Sequence, residues 1–227
     1  MDTKWKISKR QWLLMAYLPI HLLWFAYLET IDFSDYTVMH CALDDIIPFC
    51  EWFVIPYITW FAYMVATGIY FLRYDAKAFE NFCLSLFIGF FISMIIVSTW
   101  HSGQELRPQN LEVTNFPTWV LNIIYTVDTN TCVFPSMHIV GAVATAVNLS
   151  ASSTLRKKVW LQICNWVLCI LIVLATVFIK QHSALDVFAG IALETVVLLV
   201  VFKGWPGKLL DKLTKTRINE DNEIVAL

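Results

Sequence analysis

Six stretches of this chain read as membrane-crossing helices, and that restricts its fold more than any other feature. A helix crossing the hydrocarbon core needs about 20 mostly apolar residues. The candidates are 11–28, 53–72, 80–100, 136–150, 159–179 and 183–203, the fourth being short and less apolar. In lipid every backbone N–H and C=O needs an internal partner, so the spans are expected as helices. A transmembrane barrel would instead give ~10-residue segments of alternating polarity, which the sequence lacks. Composition agrees. The 227 residues are 58% hydrophobic and 15% charged, against about 45–50% and about 25% in ordinary soluble domains. So apolar a chain is not disordered, and a net charge of −2 is wrong for a basic nucleic-acid binder. The expected fold class is all-α: an integral membrane bundle of six transmembrane helices. It forms a single membrane domain over 1–227, with a cytoplasmic tail at 204–227. The irregular stretch 101–135 carries Pro108, Pro117 and Pro135. Its apolar piece 116–125 is read as an interfacial or re-entrant helix. The first run contains Pro19 and His21 and ends without a small-residue cleavage site, so it is read as a retained span, not a signal peptide.

Orientation follows from the cations. Lys4, Lys6, Lys9 and Arg10 precede the first span, Arg73 and Lys77 follow the second, and Arg156, Lys157 and Lys158 lie between the fourth and fifth. Lys203, Lys208, Lys212, Lys215 and Arg217 follow the sixth. Fourteen of the sixteen basic residues thus fall on one side, expected to be the cytoplasm together with both termini. The other side is acidic near its first loop, at Asp32, Asp35, Asp44, Asp45 and Glu51, and has two cations, Arg107 and Lys180. Topology does not require them there, which makes an anionic ligand their expected purpose.

Three patches on that outer side carry chemistry. They are Arg107-Pro108, Cys132 to His138, and Lys180 to Asp186. Each sits at the outer end of a span. Arg107 offers a planar fork suited to phosphate oxygens; Lys180 adds a point charge. Ser136 offers a hydroxyl, and the amides after Pro135 begin a helix, a natural anion site. His182 and Asp186, spaced i, i+4, share a helix face, so the carboxylate can orient the imidazole. His138 is a second imidazole on another helix. Two histidines, a carboxylate and two cations suit phosphoryl transfer, one imidazole attacking phosphorus while the other protonates the leaving oxygen. Paired carboxylates and a P-loop are absent, so nucleotide and two-metal mechanisms have no support.

These residues resemble the type 2 phosphatidic acid phosphatase superfamily, which also includes vanadium haloperoxidases and lipid phosphotransferases. That family has three motifs: a Lys with Arg-Pro seven residues on, Pro-Ser-Gly-His, and Ser-Arg followed by His and then Asp. Arg107-Pro108 matches the first, Pro135-Ser136-Met137-His138 the second with Met137 in place of Gly, and His182 with Asp186 the third. The motif-bearing part covers roughly 100–190. Two family cations are missing: Trp100 stands at the first-motif Lys, and Ala175 and Thr176 at the third-motif Ser and Arg. Lys180 is expected to replace the lost charge. The local sequence around Cys132, Phe134 and Lys180 is more similar to the inositol phosphorylceramide and sphingomyelin synthase branch.

The resemblance implies that His182 is the nucleophile, forming a phosphohistidine, with Asp186 orienting it and His138 as general acid. Arg107, Lys180, Ser136 and Met137 would surround the phosphate. No cofactor and no metal are expected. The implied activity is hydrolysis of a phosphomonoester or pyrophosphate on a lipid: phosphatidate, phosphatidylglycerol phosphate or an isoprenoid diphosphate. Two alternatives remain: transfer of a phospho-headgroup to a lipid alcohol, and a non-catalytic anionic-lipid binder or transporter. The expected partners are a lipid phosphate and the membrane, without nucleic acid and with a homodimer left open. The expected location is the plasma membrane, with the active site on its extracytoplasmic side.

Four further features have structural readings. His21 is read as a satisfied bundle residue and Glu194 as a protonated carboxyl hydrogen-bonded to another helix. Asp44 and Asp45 are read as helix caps. Cys41 and Cys50 could pair if their side is oxidising.

Overall fold

The computed structural model describes residues 7–31, 35–219 and 222–226. Lys4, Lys6 and Asp32, counted above among the sorted charges, lie outside the described residues. Ten α-helices account for most of these residues: α1 (Lys9–Met15), α2 (Tyr17–Leu28), α3 (Ala42–Ile46), α4 (Val54–Tyr74), α5 (Ala76–Thr99), α6 (Phe116–Val127), α7 (Met137–Ala151), α8 (Val159–Phe178), α9 (Ala184–Phe202) and α10 (Trp205–Thr214). A short parallel pair joins β1 (Thr37–Val38) to β2 (Ser102–Gly103), and a C-terminal antiparallel hairpin joins β3 (Thr216–Ile218) to β4 (Ile224–Ala226).

Five helical runs are long and apolar enough to cross a membrane: Lys9–Leu28, Glu51–Tyr74, Ala76–Thr99, Val159–Phe178 and Ala184–Phe202. They define a multi-pass membrane protein. The expected fourth span is different. It is α7, with 15 residues, a rise of only ~22 Å against a hydrocarbon core of about 30 Å. Its sequence explains its place. Ala142, Ala144 and Ala146 are fully buried, and such small side chains let neighbouring helices approach closely. The helix is the central rod, packed on α4, α5, α8 and α9.

Local chemistry sets the helix ends. Ser8 and Gln11 form a capping box at α1, and Asn115 and Thr118 form another at α6 beside Pro117. Asp75 stops α4 and caps α5, accepting from the Ala78 amide at 3.0 Å. The first span is interrupted at Ala16 because Pro19 has no N–H to return to Met15. The piece expected at 116–125 is α6, with Thr118 and Leu121 buried and Trp119, Ile123 and Val127 exposed.

The helix ends sort into two groups. At one end Arg10, buried, is ion-paired to Glu80 of α5 and to Asp211 of α10, and donates to the Thr216 carbonyl. At the same end Asp75 accepts from Ser152, Ser153 and Asn222. Residues 205–214 and the hairpin, expected as a tail, therefore fold back onto the bundle. At the opposite end the loop before α4 meets the loop before α9, and the stretch 101–135 closes over both. All six cysteines, including Cys41 and Cys50, are free thiols.

Candidate active site

The opposite end holds the expected catalytic residues. Ser183 is the N-cap of α9 and forms a capping box with Asp186. That box fixes Asp186, whose Oδ2 accepts from the Ser183 amide at 2.9 Å and lies 3.3 Å from His182 Nδ1. The carboxylate is fully buried and its Oδ1 has no partner among the described residues. With Nδ1–H turned to Asp186, the Nε2 lone pair of His182 is left for chemistry.

His138 comes from the first turn of α7. Its ring lies 5.8 Å from the His182 ring, centroid to centroid, inclined by 60°. Tyr57 and Trp60 of α4 hold it from the other side, each with ring centroids 4.4 Å away. Tyr57 in turn donates to Asp128 Oδ2 at 2.9 Å. The α7 terminus is tied to α9 by the Ser136 amide, which donates to the Asp186 carbonyl at 3.3 Å. Ser136 is fully buried and its Oγ has no partner among the described residues.

The two expected cations behave differently from each other. Arg107 is not among the cavity-lining residues; it braces the loop after α6 beside His182, where its Nη2 donates to the Asp128 and Thr129 carbonyls at 2.6 and 2.7 Å and to Gln181 Oε1 at 2.8 Å. Its Nη1 donates to the Tyr125 carbonyl at 3.1 Å, its guanidinium stacks over the Tyr125 ring, and its Nε is buried without a partner among the described residues. Burial lowers its pKa from the usual value, opposed chiefly by the Asp128 carboxylate. Arginine remains a cation under such shifts. Lys180 does not join the group. Its ammonium donates to the Asp44 and Ile47 carbonyls at 2.8 and 2.6 Å, so it ties down the loop around α3. Trp100, at the family's lysine position, meets the Phe134 ring edge-on and donates to Thr37; it is not among the residues that line the cavity.

Sequence reasoning missed several parts of this arrangement. Asp44 accepts from Ser183 Oγ at 2.6 Å and from the Ala184 amide at 2.8 Å, while also accepting from the Cys41 amide. It was expected to cap a helix; it caps its own α3 and, across 139 residues of chain, the helix that bears Asp186. Burial raises its pKa, but the hydrogen bonds from Ser183, Ala184 and Cys41 prevail and hold it below the ordinary value. Tyr57 and Asp128 carried no sequence signal, since each gains its role only from distant contacts; Gln181 stood out only as part of the Lys180 to Asp186 patch.

A cavity of about 330 Å³ opens onto both histidines. Its walls come from α2, α4 and α6, including Phe25, Phe61 and Ile124, with Met137 and Asp128 near the imidazoles. Leu22, Phe61, Ile123 and Val127 on these walls are exposed on the outer surface of the bundle. The readings of His21 and Glu194 need correction. His21 lines the cavity, and its Nδ1 has no partner among the described residues. Glu194 is fully buried, with neither carboxyl oxygen partnered among the described residues. It lies against Gly89 and makes no hydrogen bond to a neighbouring helix among the described residues.

A multi-pass helical membrane protein with paired imidazoles under an apolar cavity is the class that this fold and site define. The model of the PAP2 superfamily matches residues 81–209, more than half of the chain. The chain belongs to the PAP2 superfamily, whose members are phosphoesterases or phosphotransferases. Among curated proteins and among solved structures nothing matches it.

Proposed function

We propose that the chain hydrolyses the phosphate ester of a membrane lipid through a phosphohistidine. The observation that carries this reading is the pair of imidazoles 5.8 Å apart with a buried carboxylate on one of them. His182 Nε2 attacks phosphorus, and the bond from phosphorus to the lipid oxygen breaks. The imidazolium formed on His182 is stabilised by Asp186 through Nδ1–H. His138 gives its proton to the departing alkoxide. It then takes a proton from water, which attacks the phosphohistidine and releases inorganic phosphate. Arg107, the Ser136 hydroxyl and the α7 amides neutralise the phosphoryl oxygens. Lys180 holds the loop and serves the phosphate only indirectly.

The cavity supports a lipid substrate. Its walls are apolar and its rim is continuous with the exposed apolar face of the bundle, so a lipid can enter sideways with its headgroup at the histidines. Its volume lies at the small end of ligand pockets, about 300–1,000 Å³. That accommodates part of one lipid. The positive-inside rule puts the Arg10 end in the cytoplasm and the histidines on the far side.

The test is phosphate release from a panel of lipid phosphates by purified protein. Release from at least one, lost in His182→Ala, supports the reading. A new phospholipid product without free phosphate contradicts it and makes the chain a headgroup transferase. Tight lipid binding with no turnover makes it a binder.

A further inference from the structure

His21 sits in the middle of an apolar span, where a histidine needs a reason. Its side chain is 7% exposed. Its ring stacks on Phe90 at 4.8 Å and on Tyr17 at 5.8 Å. A phenylalanine would make the same stacks without a polar atom to desolvate, and the neighbours Phe25, Phe87, Phe90 and Phe91 are of that kind. The imidazole instead brings a buried Nδ1 with no partner among the described residues. A buried polar atom without a partner costs free energy unless something supplies one.

The ring lines the same cavity as His138 and His182. Three successive ring contacts link it to His138, through Phe90 and then Trp60, so it stands down the cavity from the phosphoryl end. Of the three α2 residues on the cavity wall, Leu22 and Phe25 are apolar and His21 carries the polar group, which marks a place where the ligand is not pure hydrocarbon.

We infer that His21 is a substrate-binding residue whose imidazole hydrogen-bonds a polar group in the lipid, several atoms down-chain from the phosphate. This rests on the cavity being the lipid phosphate site. An ester carbonyl, an amide or a hydroxyl in the linkage between headgroup and chains meets the requirement. A polyprenyl chain, hydrocarbon from its phosphate onward, leaves His21 unpaired. His21 therefore selects lipids by their linkage, while the histidine pair acts on the phosphate common to all of them.

The experiment compares His21→Phe, which keeps the stacks, and His21→Gln, which keeps a hydrogen-bonding group, with the parent protein. Two ligands are used in detergent micelles: diacyl phosphatidate and a polyprenyl phosphate of matched apolar length. Binding is measured in a His182→Ala background by quenching of tryptophan fluorescence, and turnover in the active background by phosphate release. The preference for phosphatidate over polyprenyl phosphate is expected to fall about three- to tenfold in His21→Phe, through Kd and KM and not through kcat, with partial recovery in His21→Gln. An unchanged preference, or equal losses on both lipids, overturns the inference. Binding discrimination that depends on His21 without phosphate release leaves it standing and overturns the hydrolase reading.

Discussion

Replacing Gly190 by alanine tests whether the site depends on the close approach of α7 and α9. Gly190 lies one turn beyond Asp186, where α9 crosses the start of α7. A Cβ built there would stand 2.9 Å from Ile139 Cβ, 3.0 Å from the Ser136 carbonyl oxygen and 3.1 Å from Ile139 Cγ2. Carbon atoms pack best at about 3.5–4.0 Å. The first turn of α7 must therefore withdraw by roughly 0.5–1 Å, carrying Ser136 and His138 away from His182. Backbone and a β-branched side chain cannot yield as a flexible side-chain tip could. Overpacking of this size costs about 1–3 kcal/mol of stability, which a bundle of this size should survive. Misplacing a catalytic group by 1 Å costs on the order of 100-fold in rate, so Gly190→Ala is expected to lose about 10- to 100-fold in kcat with little change in KM. The assay is phosphate release in detergent, with folding checked by size-exclusion profile and thermal unfolding. Gly68→Ala is the control: its Cβ meets only the Phe82 ring edge at 3.3 Å, away from the histidines, and its kcat should stay within about twofold. Full kcat in a folded Gly190→Ala protein would refute the argument that contact between these helices sets the geometry.

Three further outcomes are expected. Asp44→Asn weakens the cap on α9 and should lower thermal stability by about 0.5–2 kcal/mol at neutral pH. Because the Asp44 pKa is held below its unfolded value, its contribution is present above the ordinary carboxylate range and lost as pH falls through the folded value. The variant should therefore converge on the parent below about pH 4; a gap that widens with acid would contradict this. His138→Ala should lose about 100- to 10,000-fold in kcat on an alkyl phosphate lipid, and much less on an analogue with an acidic phenol leaving group. Equal losses on both would remove the general-acid role. A protease-sensitive tag after Leu227 should be cut only from the cytoplasmic side, and cutting from outside would invert the proposed orientation.

The sequence exposed the spans because bilayer length is a one-dimensional property. Hydropathy located α4, α5, α8 and α9 within a few residues. At α7 the apolar run is a 15-residue buried rod of small side chains, shorter than a span of full length although it runs from the histidine end to the Asp75 end of the bundle. The break at Ala16 follows from Pro19. The i, i+4 spacing of His182 and Asp186 was readable because one helix carries both. Lys180 was misjudged for the opposite reason. Its charge was visible, but its direction depends on the Asp44 and Ile47 carbonyls, more than 130 residues away. Asp44 looked like a local cap because the partner it shares with α9 lies 139 residues ahead in the chain. That His21 Nδ1 has no partner among the described residues could not be read at all, since an unsatisfied nitrogen is defined only by what surrounds it.

The central claim is that His182 takes the phosphoryl group. The most direct measurement is to mix the protein with lipid labelled with ³²P on its phosphate, quench in alkali within the first turnover, and map the label by mass. A phosphoramidate, stable in base and labile in acid, is predicted on His182 in the parent protein. It should accumulate in His138→Ala if water activation is slowed, and be absent in His182→Ala. Label on any other residue, or phosphate release at the parent rate from His182→Ala, would contradict the account.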